Sequence, residues 1–483
     1  MIHVSMLQRF IQDNLGSRTG SVFSDDTNSF PYSTILARVE VIAKALSSAL
    51  HRKAKCAVLC DSNLNAAISV LSCWRAEMVV IPLSMNYGER QCREILGLVE
   101  PDLLLTDNDS IDWPNKYNLV DDILVLSRNS AGSEEALIDV AAILCTSGTT
   151  GKPKGAMISE AGLIANVLDI ARYFKLTCDD TTLIARPLYH CAVLTGEFLV
   201  SLNAGANLYF GETGYNPTRL FAYIRDCGIT TIGGTPTLFN HVSRFISQHN
   251  VQHSVRNIAI SGECMTTKVA AGIRDAFINT NIYNVYGLTE ASPRVSYLDA
   301  TLFDRYPESI GMPLASVSVK IVDEFCNEVP AGSDGILLVR GSNIMKGYYR
   351  NPELSSKVLR DGWLNTGDVC SRDSQGLMHI KGRSDDLIIK AGMNIYPAEI
   401  ENQLKESSIF SDIVAYGVFT QSGQEISIDA VLAEGAKHLT VRDVFAICGK
   451  TLPAYQLPAT INLVEALEKN ASGKTLRPRT KLC

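Results

Sequence analysis

No run in this chain reaches the ~18 uninterrupted apolar residues that a membrane-crossing helix needs, so no helical membrane span is expected. There is no block of like charge: 44 Lys plus Arg against 51 Asp plus Glu give a net charge of -7, which disfavours a nucleic-acid partner. CxxC pairs are absent. The 13 cysteines are scattered and odd in number, and the eight histidines do not cluster with them, which argues against structural zinc and for reduced thiols in a cytoplasm. The opening MIHVSMLQRFIQDNL carries Gln, Arg, Gln and Asp where a signal peptide would be apolar, so no targeting segment is expected. Internal repeats and low-complexity tracts are also lacking. What is present is a chain of 483 residues, 46% hydrophobic and 20% charged, which is globular composition. That length suggests two to four folding units, and folding buries roughly three-quarters of the unfolded chain's surface without disulfides.

From about residue 55 to 290, short apolar runs alternate with stretches of helical period: CAVLC (56–60), MVVIPL, LLLT, AAILCT (141–146), NLYF (207–210), NIAIS (257–261) and NIYNVY (281–286). This predicts an α/β fold of parallel-rich sheets covered by helices on both faces. After about 305 the runs become period-two, as in VSVKIVD (317–323) and GILLVR (335–340), which predicts a β-rich subdomain over about 305–384. A polar turn, GRSDD (382–386), then introduces helix 397–405, strands 412–419 and 425–432 and helix 441–449. These suit a small α+β domain over 385–483, with the boundary at 384 or 385 and the large domain spanning 1–384.

The string Thr146-Ser-Gly-Thr-Thr-Gly-Lys-Pro-Lys-Gly155 follows the strand AAILC and is expected to lie between a strand and a helix beginning near Ser159. Its glycines free the backbone to wrap a polyanion, its hydroxyls suit phosphate oxygens, and Lys152 and Lys154 supply positive charge. The spacing is not that of a Walker loop. The string resembles the phosphate loop of the adenylate-forming superfamily, which includes acyl- and aryl-CoA synthetases. Further motifs follow in that family's order: Tyr286-Gly-Leu-Thr-Glu-Ala291, Gly347-Tyr-Tyr-Arg-Asn-Pro352, Trp363-Leu-Asn-Thr-Gly-Asp368, Gly382-Arg-Ser-Asp-Asp386, Asn394-Ile-Tyr-Pro-Ala-Glu-Ile400, Leu452-Pro-Ala-Tyr455 and Ala471-Ser-Gly-Lys474.

The resemblance implies ATP-dependent activation of a carboxylic acid to an acyl-adenylate, with Mg²⁺, followed by transfer to the thiol of CoA or to the phosphopantetheine of an acyl carrier protein. Thr146, Ser147, Gly148, Thr149, Thr150, Gly151 and Lys154 would cradle the phosphates. Gly262, Tyr286 and Gly287 would frame the adenine, with Thr289 on phosphate and Glu290 on the metal. Asp368 would accept the ribose hydroxyls and Arg383 would add a ribose contact. Lys474 would neutralise charge shared by the attacking carboxylate and the α-phosphate. The small domain would be mobile and rotate about Asp385, bringing Gly392 to the thiol tunnel. Taken alone, a Thr-Glu pair after a strand is usually a helix cap, and Lys474 could sit in a flexible basic tail.

Several positions depart from common family usage: Cys145, Glu160, Asn365 and the segment Ser261-Gly-Glu-Cys-Met265. Arg186-Pro-Leu-Tyr-His-Cys191 resembles the segment of acyl- and aryl-CoA synthetases in which His190 would gate the acid pocket. No Asp or Glu occurs between 183 and 196, so α-amino acids are poor candidates: a buried ammonium without a counter-charge is costly. Pocket walls are expected from 190–196, 233–236, 261–264 and 285–294. Arg294 either pairs with a second polar group on the acid or sits at the rim.

Overall fold

The computed structural model describes residues 4–18, 20–84, 87, 89–108, 116–120, 123–127, 134–147, 153–212, 216–390, 393–407, 409–420, 423–469 and 475–478. It has two compact units, one of Met1–Met265, Val269–Val319 and Val339–Leu364, the other of Thr266–Lys268, Lys320–Leu338 and Asn365–Cys483.

Two large sheets organise the first unit. One runs in the order Met312–Pro313, Arg294–Tyr297, Asn281–Gly287, Asn257–Ile260, Thr231–Gly234, Thr181–Ile184, Asn207–Phe210, Val22–Ser24, Ser29–Pro31. Its centre is parallel, with antiparallel pairing at both edges. The strand Asn257–Ile260 is buried at every position, as a strand covered on both faces must be. The second sheet orders Lys116–Val120, Ile123–Ser127, Leu103–Thr106, Lys55–Val58, Val79–Pro82, Val140–Ser147 and Pro153–Ser159. Crossover helices begin where the sequence supplies caps: Ser159 accepts from the Gly162 amide at 3.0 Å, and Thr235 with Pro236 opens Pro236–His249.

In the second unit, Phe410–Thr420, Gly423–Leu432 and Thr460–Leu463 form a sheet. Helices Pro397–Lys405 and Val441–Thr451 bury Ile400, Leu404, Val444 and Cys448 in one core with Ile413, Ile428 and Ile388. The second helix starts in a capping box between Thr440 and Asp443. The α/β architecture, with large helix-covered sheets, a β-rich region and a small α+β C-terminal part, is the predicted one. No helix among the described residues is long and apolar enough to cross a membrane.

Candidate active site

The phosphate string departs from the expected strand-to-helix placement. Thr146 lies next to the end of the strand Val140–Ser147, opposite Lys154 in an antiparallel partner, Pro153–Ser159; the helix begins at Glu160 with Ser159 as its N-cap, as expected, but a strand rather than a turn leads into it. The physical reason is the alternation in AMIS, with Ala156 and Ile158 buried and Met157 and Ser159 less so, which suits a strand rather than a helix cap. Gly148, Thr149, Thr150, Gly151 and Lys152 lie outside the described residues, as does the side chain of Ser147.

The segment at 346–349 lies along this hairpin: the Tyr349 amide donates to Gly155 O at 2.7 Å and the Met157 amide to Gly347 O at 3.0 Å. Two consecutive tyrosines then serve different ends. Tyr349 Oη donates to Glu134 at 2.7 Å and accepts from Lys55 Nζ at 3.0 Å. Burial works against the Lys55 charge, but these two partners hold its pKa above the ordinary lysine value. Tyr348 instead donates to Glu290 Oε1 at 2.7 Å, with Lys154 Nζ 5.6 Å from the centre of its ring.

Glu290 sits in a short 3-10 turn, Thr289–Ala291, after the strand Asn281–Gly287. The loop closes tightly because the Leu288 amide donates to Pro293 O at 2.9 Å and the strand bulges at Tyr286 and Gly287. A Cβ on Gly287 would collide with that same carbonyl, so this position has a backbone reason to be glycine beside any ligand role. Asn343 fixes the loop from the far side, donating to Ala291 O at 2.8 Å and Arg294 O at 3.0 Å. Tyr286 is half-buried, and Gly262 is an exposed turn glycine.

The expected pocket segments touch in two pairs: a Cβ on Gly196 would lie 2.8 Å from Arg294, and one on Gly262 would lie 3.7 Å from Thr235. His190 precedes the short helix Cys191–Val193, its ring 4.0 Å from that of Tyr189. Burial first, and the Arg186 charge second, pull its imidazole down to about 3, so it is neutral. Arg186 pairs with buried Glu197, which lies against Gly233. Glu197 falls one residue beyond the stretch found free of acids, but its charge already has a cation, so the case against an α-amino substrate stands. Arg294 is 3% exposed, which removes the rim alternative.

In the second unit, Asp368 and Arg383 face each other across an antiparallel pair, 3.1 Å apart, and Arg383 also donates to Thr366 O at 2.7 Å. Gly367 has φ +71°, and a Cβ there would lie 2.7 Å from the Arg383 guanidinium, so glycine is required. Asp385 is exposed in the turn Ser384–Asp386, its carboxylate 3.8 Å from Arg383. Lys474 and Gly392 lie outside the described residues. The flanks of Lys474 are held: Lys469 bridges Thr475, Lys469 Nζ pairs with Asp412 at 2.9 Å, and Arg477 pairs with Asp386 and Glu401, each at 2.6 Å.

The sequence reading assigned no role to Tyr348, Asn343, Glu197 or Arg477. A lone acid in the apolar stretch AVLTGEFLV was the available sign for Glu197, and Tyr348 stands inside the motif Gly347-Tyr-Tyr-Arg-Asn-Pro352; nothing local marks Asn343 or Arg477. Among the described residues no group of three or more His, Cys, Asp or Glu could hold a metal. Glu290, one carboxylate with a tyrosine fixing one of its oxygens, instead fits magnesium, which takes one or two protein carboxylates beside substrate phosphates.

The family model for the AMP-binding enzyme matches residues 12–349, and that for the AMP-binding enzyme C-terminal domain matches 399–474. A feruloyl-CoA synthase of Amycolatopsis sp is 28% identical over 467 residues, covering 92% of each chain. A long-chain-fatty-acid–CoA ligase of Escherichia coli O6:H1 is 31% identical over 347 residues, 70% of this chain and 61% of that one. The solved structure of O-succinylbenzoate coenzyme A synthetase from Bacillus subtilis, in complex with ATP and magnesium ion, shares the fold with a TM-score of 0.83 at 21% identity, covering 97% of this chain and 98% of that one.

Proposed function

This chain belongs to the AMP-binding enzyme family, and on that premise we propose that it is an AMP-forming carboxylate–CoA ligase. An acid carboxylate attacks the α-phosphate of ATP, pyrophosphate leaves, and the CoA thiol then displaces AMP from the acyl-adenylate. The observation that carries this reading is the chain of contacts from Lys154 through the Tyr348 ring to Glu290, which ties the base of the phosphate hairpin to a carboxylate suited to magnesium. Magnesium held there would offset phosphate charge.

Around the nucleotide, Thr146 to Gly151 wrap the phosphates with Lys154, Thr289 donates to them, and Tyr286, Gly287 and Gly262 border the adenine. Asp368, already fixed by Arg383, accepts the ribose hydroxyls. Neutral His190 lines the entry for the acid without adding charge. Lys474 supplies the cation when charge develops at the α-phosphate. The large domain ends at 384, Asp385 is the hinge, and Gly392 borders the thiol tunnel. A cytoplasmic setting accords with twelve free cysteines among the described residues.

The test is pyrophosphate release with ATP, Mg²⁺ and a panel of carboxylic acids, with and without CoA. Acid-dependent release with an acyl-CoA product is expected. Absence of any acid-dependent release would overturn the ligase, and release without a CoA thioester would move the acceptor to a carrier-protein phosphopantetheine.

A further inference from the structure

Arg186 and Arg294 differ in one respect that decides what the acid pocket lacks. The Arg186 guanidinium is neutralised by Glu197. That of Arg294 has neither an ion pair nor a side-chain hydrogen bond among the described residues, and its Nε, like that of Arg186, is buried without a partner. An arginine cannot shed its proton to escape this situation, so a full positive charge stands inside the fold. Its backbone is fixed on both polar groups: the Arg294 amide donates to Asn166 Oδ1 at 3.1 Å, and its carbonyl accepts from Asn166 at 2.9 Å and Asn343 at 3.0 Å. Both asparagines are fully buried. The guanidinium points at the segment following His190, where a Cβ on Gly196 would lie 2.8 Å from one of its nitrogens. Two buried side chains thus fix the backbone of a residue whose charge has no match among the described residues.

We propose that Arg294 binds a second carboxylate of the substrate, and that the acid activated here is a dicarboxylic acid. The planar guanidinium presents paired N–H groups that a carboxylate accepts two at a time. The reacting carboxylate is consumed at the phosphate, so the one on Arg294 must be the other. This rests on the ligase reading above and narrows its substrate class.

The experiment measures pyrophosphate release by the full chain with ATP and Mg²⁺ on matched pairs: butyrate and succinate, hexanoate and adipate, cinnamate and 4-carboxycinnamate. For at least one pair the diacid should exceed its partner by about 10²-fold in kcat/KM, because a site built for a polar group rejects the analogue that lacks it. Arg294→Met should bring that pair to parity, and Arg294→Lys should keep part of the preference. The Met variant should melt no lower than wild type, since it removes an uncompensated buried charge, and the preferred diacid should raise the melting temperature of wild type only. Monoacids at parity or better in every pair would overturn this inference and leave the ligase intact, as would a preference that survives Arg294→Met. Release with no acid at all would instead overturn the ligase reading, and this inference with it. Should the Met variant fail to fold, that failure would mark Arg294 as structural and count against the proposal.

Discussion

The two units hold their candidate site groups in different ways. In the larger, Glu290 is fixed by Tyr348 and Arg294 by Asn166, partners 58 and 128 residues away in the chain. In the smaller, Asp368 and Arg383 stand 15 residues apart on one hairpin, while Arg477 reaches back 91 and 76 residues to Asp386 and Glu401 of the same unit. Long-range clamps give a site that changes only if the whole unit unfolds. The Asp368–Arg383 pair keeps its geometry through one hairpin that precedes the proposed hinge, whereas the Arg477 contacts all lie beyond Asp385 and hold the tail within that part, as a tail that must travel with an alternating domain requires.

The largest effect that would sharpen this contrast is Lys474→Ala. Adenylate formation should fall by about 10² to 10³, the scale of one preorganised donor to developing charge, while transfer from a preformed acyl-adenylate to CoA persists. Equal loss in both steps would break the contrast, because the lysine would then serve a fixed site. Glu290→Gln should follow, lowering adenylation by about 10²-fold and raising the magnesium concentration at half-maximal rate, since an amide is a poor ligand for a hard cation. Tyr348→Phe should reproduce that shift at about tenfold, the value of one modest hydrogen bond. Unchanged metal dependence in both variants would remove the carboxylate from the site.

Within the smaller unit, Arg477→Met takes the cation from the half-buried Glu401 carboxylate, whose pKa burial raises while Arg477 lowers it. A loss of about 2 to 3 kcal/mol in urea unfolding is expected, below the cost of breaking a fully buried pair because both groups are partly exposed. Adenylation should fall with it if this anchor positions Lys474; normal adenylation would show that the tail needs no anchor. Asp385→Pro probes the travel itself. The hydrogen bond of its turn runs from the Leu387 amide to Ser384 O at 3.4 Å and survives the change, so adenylation should remain. Thioester formation should drop by at least about tenfold, because proline fixes φ. Normal overall turnover would remove Asp385 as hinge.

The contrast also explains what was legible in sequence. Runs such as NIAI and NIYNVY became strands because continuous burial leaves an uninterrupted apolar signature. The helices expected at 397–405 and 441–449 lie at Pro397–Lys405 and Val441–Thr451. The strand Pro153–Ser159 was not, because a glycine-rich turn before KGAMIS reads equally as a helix entry, and only pairing with Val140–Ser147 decides it. Side chains of the site were legible where they sit inside a contiguous motif, as Asp368 and Glu290 do. Partners that come from a distance, such as Tyr348, Asn166 and Asn343, carry no local sign of what they hold. The charge of Arg294 was visible, but its lack of a counter-charge among the described residues was not, since that depends on every element packed around it.

The smallest predicted effect concerns His190, which separates a fixed, neutral wall from a titrating one. Burial, then the Arg186 charge, keep its imidazole unprotonated down to about 3, whereas an unfolded chain takes up that proton near pH 6.5. Between those values the unfolded state binds one proton more than the folded state, so stability contributed by the neutral ring is present above about 6.5 and is lost as pH falls toward 3. The slope for one such group is about 1.4 kcal/mol per pH unit at most, and solvent reaching the ring from the pocket side lowers it to about 1. Stability of wild type measured by urea unfolding at pH 7, 6 and 5 should therefore decline more steeply than that of His190→Gln. The adenylation rate, by contrast, should show no limb near pH 6.5 that the substitution removes. A shared slope in the two proteins, together with such a limb, would mean that His190 is charged in the folded enzyme and takes part in proton transfer, and the larger unit would then contain a titrating group where the structure has a neutral wall.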